Sequence, residues 1–95
     1  MKTFTIKPEE QIFLSDLILK KHPSVNENMS YYLEIGDVTD GILSICVNHS
    51  AKGNNTFLPI EETFPHTIKI EENLQYTIAF RSVFGCIVNY RIYQQ

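Results

Sequence analysis

No stretch of the chain approaches the roughly 18 consecutive apolar residues of a bilayer-spanning helix, and its opening Met-Lys-Thr-Phe-Thr-Ile-Lys-Pro-Glu-Glu has no apolar run of signal-peptide length. These two absences lead us to expect a cytoplasmic protein with no membrane partner, provided no export signal has been removed. Charge of one sign is scarce as well. Eight Lys and Arg stand against eleven Asp and Glu, a formal net charge of -3 with acids and bases scattered. Such a distribution makes no field that would draw the protein onto a polyphosphate backbone, so nucleic acid is not an expected partner. The chain also lacks an internal repeat, a low-complexity tract and a linker, which excludes solenoid and multidomain organisation.

What is present is one core's worth of apolar residues. Of 95 residues 43% are hydrophobic and 12% aromatic, and the disorder signature of low hydrophobicity with high net charge is missing. A chain this size buries about two-thirds of its unfolded surface, which leaves room for a single domain over 1–95.

Alternation of apolar and polar residues recurs between clusters of Gly, Pro, Asn and Asp, the pattern of short half-buried strands. Residues 2–7 place Phe4 and Ile6 inward, and Pro8 ends the run. Residues 29–35 send Tyr31, Leu33 and Ile35 to one face, Tyr32 and Glu34 to the other. Residues 41–48 put Leu43, Ile45 and Val47 on the apolar face, and Gly53-Asn54-Asn55 marks a turn before a weak strand at 56–60. Residues 8–22 are ambiguous. Pro, two Glu and a closing Lys-Lys-His punctuate a helix, yet Ile12, Phe13, Leu14, Leu17, Ile18 and Leu19 scatter around a helical wheel. A strand with a bulge at Ser15-Asp16 fits better, because Ile12 and Leu14 then share a face with Leu17 and Leu19.

Parity guides the reading of the C-terminal third. Leu74, Tyr76, Ile78 and Phe80 form one apolar face, and Cys86, Val88, Tyr90 and Ile92 another. A three-residue loop Val83-Phe84-Gly85 would pair Phe80 with Val88 and put Gly85 in the left-handed position of a bulged turn. A loop Glu71-Glu72-Asn73 would likewise pair Ile68 with Tyr76, with Asn73 left-handed. The expected fold is therefore all-β: a small β-sandwich, jelly-roll or Greek-key like, of seven to eight short strands. It closes on a three-stranded antiparallel meander over 67–70, 74–82 and 86–93.

No constellation carries a recognisable chemistry. His22, His49 and His66 lie in or beside loops, none at metal-ligand spacing from another ligand, and no metal or cofactor is expected. Cys46 and Cys86 point to opposite faces, which argues against a disulfide, and Cys46 with His49 lacks an orienting third group. Asp37 and Asp40 could serve a calcium site, but Asp-x-x-Asp-Gly is also what a turn wants, and a turn is expected. Three Asn-x-Ser/Thr triplets matter only in a secreted chain. Outward aromatics give the better clue: Tyr93 with Asn89 and Arg91 on the last strand, with Tyr32 and Phe13 elsewhere, are the candidate binding residues. The ordinary alternative is that Arg91 lies across Thr77 and shields the sheet. We therefore expect a non-enzymatic binding module for a protein partner (an inhibitor, adaptor or assembly subunit) or for itself. Small-ligand or glycan binding, and a small hydrolase or lyase, are the alternatives.

Overall fold

Alternation becomes strand where expected along most of the chain. In a computed structural model describing residues 1–61 and 63–94, β1 (Lys2–Ile6) buries Phe4 and Ile6, and β3 (Tyr31–Thr39) buries Tyr31, Leu33 and Ile35. The closing strand β8 (Cys86–Tyr93) buries Cys86, Val88 and Tyr90. The remaining strands are β2 (Gln11–Phe13), β4 (Ser44–Cys46), β5 (Leu58–Pro59), β6 (His66–Ile70) and β7 (Ala79–Arg81). Among the described residues these eight strands form two antiparallel four-stranded sheets, ordered β1-β8-β3-β6 and β2-β7-β4-β5. Both sheets contribute to one core, where the rings of Phe4 and Phe80 meet at 5.8 Å between centroids. Burying each Leu, Ile, Val or Phe of this cluster contributes about 1.5–3 kcal/mol against exposure.

In β3 the inward parity changes from odd to even. The register against β8 shifts between Ile35 and Asp37, leaving Gly36 as the extra residue of a bulge. Beyond it Val38 packs on the core opposite Val88, so one strand serves the core on both sides of the bulge.

Two expectations are corrected. Residues 8–22 are not a bulged strand: β2 is followed by a helix, α1 (Leu14–Lys21). Its buried residues are Leu14, Leu17 and Ile18, a spacing of three and four that makes a narrow stripe, while Leu19 is 74% exposed. Ile12 and Phe13 belong to β2, and including them in the helical window smears the stripe. Asp16 in the first turn and Lys20 and Lys21 in the last complement the helix dipole.

Among the described residues the C-terminal meander is also absent. β7 pairs with β2 and β4, β8 with β1 and β3, and β6 with β3. Phe80 and Val88 do face the same core, but from opposite sheets. Parity demands only that both side chains point inward, and two layers satisfy that as well as one. The chain climbs from β6 to β7 through a 3-10 turn (Leu74–Thr77), so Leu74 and Tyr76 are exposed and Gln75 is buried instead. Both turn residues nonetheless take the left-handed conformation expected of them, Asn73 at φ 62° and Gly85 at φ 85°.

Candidate functional site

The central pair of the first sheet, β3 and β8, brings together three of the five candidate residues. Cross-strand registry sets Tyr32 opposite Tyr93 and Glu34 opposite Arg91, on the face away from the core. The two tyrosine rings stack at 5.2 Å with an 18° interplanar angle. Arg91 donates from Nη2 to Glu34 Oε1 at 3.0 Å and holds its guanidinium 4.6 Å above the Tyr93 ring. The hydrogen bond and charge of Glu34 raise the Arg91 pKa. Asn89 lies on the same strand opposite Asp37. Thr77 is not beneath Arg91; its hydroxyl donates to the carbonyls of Val47 and Leu74. Arg91 is thus exposed and Tyr32, Glu34 and Tyr93 half-buried, and these four side chains are engaged with one another within the chain.

Phe13 sits on the other sheet. Ile12, Phe80 and Ile45 form the cross-strand row that meets the core, so the adjacent row of Phe13, Ala79 and Cys46 points away from it. His49 and Phe57, from the connection between β4 and β5, lie over this row: the His49 ring meets Phe13 edge-on at 4.8 Å and Phe57 at 6.4 Å. Arg81 stands 5.9 Å above Phe57. Cys46 and Ala79 are buried although they face away from the core cluster.

A third surface escapes sequence reasoning. At one end of the molecule the connections β1–β2, β3–β4 and β7–β8 meet. The Ser82 carbonyl accepts hydrogen bonds from the backbone N–H of Glu9 at 2.9 Å and of Gly85 at 3.3 Å. Gly41 lies so close to the Gly85 carbonyl that a Cβ there would sit 2.0 Å from its oxygen, and a Cβ on Gly85 would lie 3.0 Å from the Ile6 carbonyl. These contacts lock the loops together. From the locked frame project Phe84, 87% exposed, Ile42, 66%, and Val83, 54%. With Pro59, Ser44 and Asp40 they line an open depression of about 480 Å³, in which Asp40 is the single charged residue among the described residues. The signal in the sequence was the Val-Phe pair in a three-residue turn, a place where apolar side chains have no core to enter.

Perturbed titratable groups are spread over the molecule. His22 Nε2 lies 2.9 Å from the hydroxyl of buried Tyr90, and burial, then Lys2 and Lys21, lower the His22 pKa. Burial raises Tyr90. Tyr31 is raised by burial and donates to Gln75 at 3.1 Å. Tyr76 donates to Glu27 at 2.6 Å, a hydrogen bond that raises its pKa. Burial raises the Cys86 thiol. Asp37 accepts from the Val38 N–H at 2.9 Å within β3, directly after the bulge. Among the described residues no group of three or more His, Cys, Asp or Glu is placed to hold a metal ion, and no helix is long and apolar enough to cross a membrane. Compared with known proteins, the chain matches no family model, and neither a curated protein nor a solved structure matches it significantly.

Proposed function

We propose that this chain is a non-enzymatic binding module whose protein partner docks on the Ile42, Val83 and Phe84 end of the molecule. The observation that carries the reading is a rigid, exposed apolar tip. Large apolar side chains held in water do nothing for folding, and a contiguous group of them on a small domain marks an interaction surface. Their loops are fixed by the Gly41–Gly85 contact, so docking need not order them, and a preorganised aromatic anchor is what interface hot spots are made of. The strand orders β1-β8-β3-β6 and β2-β7-β4-β5 support a jelly-roll sandwich, in which eight strands make two Greek keys and connections gather at the ends of the sheets.

Two features favour binding over catalysis. The groups with shifted pKa values occur as separate local pairs on different elements and do not converge on the depression. The Tyr32, Arg91 and Tyr93 row is internally engaged, so a glycan or small ligand has less to gain there than a partner has at the tip.

Replacing Val83 with a photo-crosslinking amino acid tests the reading in cells that express the protein. A discrete protein adduct is expected from position 83 and none from a control at Lys69, on the edge strand β6. Equal labelling from both positions, or none from position 83, would remove the tip from consideration.

A further inference from the structure

Resting on that reading, we infer that the partner docks through a short segment that inserts one aliphatic or aromatic side chain beside Phe84 and sets a Lys or Arg against Asp40. Area limits the occupant first. The exposed parts of Ile42, Val83 and Phe84 offer on the order of 400 Å² of apolar surface, about half of the ~800 Å² per side that a standard stable interface buries. That suits a short segment better than a broad face.

Charge limits it next. Asp40 lines the depression and has no ion-pair partner among the described residues. Covering the depression with a purely apolar segment would strip water from an unpaired carboxylate, which is costly, whereas an adjacent cation compensates. A second copy of this chain would bring another Asp40 to the same contact, like charge against like charge. The turn holds the Asp40 backbone beside the tip: Asp40 is left-handed at φ 66° and is followed by Gly41, which is packed on the Gly85 carbonyl. The turns that carry the apolar anchor and the carboxylate are therefore packed against each other, and the segment must meet both.

A random peptide display library selected on the immobilised chain tests this, with Phe84→Ser and Asp40→Asn as counter-selections. Asn tolerates the left-handed backbone, so the second variant keeps the loop. Enriched peptides should share an apolar residue next to a Lys or Arg. Their binding should fall roughly tenfold or more in Phe84→Ser, and roughly three- to tenfold in Asp40→Asn with much of its salt dependence lost. Peptides that require Phe84 but carry no cation and ignore Asp40→Asn would overturn the inference and leave the tip as the interface. Peptides that bind Phe84→Ser equally well would overturn both. A concentration-dependent dimer in sedimentation that Phe84→Ser abolishes would overturn the inference by naming a second copy as the occupant, as would a selection that enriches nothing.

Discussion

Gly85 is constrained twice, by a backbone angle that side chains disfavour and by the Ile6 carbonyl and the Pro8 ring that a Cβ would meet at 3.0 Å and 3.2 Å. The two constraints have different remedies, which makes the position a useful probe. Val is branched at Cβ and tolerates positive φ worst, so Gly85→Val should destabilise by about 1–3 kcal/mol in chemical denaturation. Gly85→Asn relieves the backbone constraint and keeps the steric one, so its cost should be clearly smaller yet above zero. Equal costs would mean that the Cβ contact alone decides. This turn chemistry was readable from the sequence, because Gly85 and Asn73 signal a left-handed conformation through local sterics and not through neighbours far along the chain. The Gly41 contact was not readable, since it depends on a carbonyl 44 residues away. For the same reason the sequence identified Phe84 as a turn residue but gave no sign that three loops would frame it.

Among the elements, α1 shows how a short helix hides. Eight residues supply two turns, and the stripe that matters is Leu14, Leu17 and Ile18 alone. Two substitutions separate this geometry from a bulged strand in which Leu17 and Leu19 share a face. Leu17→Ala should cost about 2–5 kcal/mol as a core truncation, and Leu19→Ala should stay within about 0.5 kcal/mol. Comparable losses would restore the strand. The end of the helix is tied to the first sheet by an exchange of lysines, Lys2 donating to the Lys21 carbonyl and Lys21 to the Thr3 carbonyl, both at 2.7 Å. Beside them His22 meets Tyr90, and its pKa is lowered by burial and by those two lysines. A folded-state pKa below the unfolded value of 6.5 means that the unfolded chain binds the proton more readily. The His22 contribution is thus fully present above about pH 6.5 and is lost as pH falls through the lower folded value. Denaturation midpoints measured from pH 7.5 down to 5 should fall, and His22→Gln should flatten that part of the profile. A profile unchanged by the substitution would assign the slope to other groups.

For the molecule as a whole, inward and outward faces were legible and strand order was not. Phe4, Leu33, Val88 and Tyr90 point inward as alternation requires, yet alternation says nothing about which inward-facing strand is a neighbour and which lies across the core. That distinction comes from the connections, and the turn at Gly85 crosses from one sheet to the other where sequence reasoning drew a hairpin. The two cysteines test the resulting architecture. Cys86 belongs to the core cluster on β8, whereas Cys46 is on the outer row of the second sheet beside Ala79, near the connection that carries His49 and Phe57. A disulfide needs Cα atoms within about 7 Å and converging Cβ vectors. Here one thiol faces into the space between the sheets and the other away from it, and both are free. Both are also buried, and burial raises the Cys86 pKa, so little reactive thiolate is available there. Alkylation of the native protein without reductant should therefore be slow at both positions, and denaturation should expose two free thiols to the same reagent in mass spectrometry. An intramolecular bridge in freshly purified protein would place Cys46 and Cys86 on facing surfaces, and the assignment of β4 and β8 to opposite sides of the core would have to be abandoned.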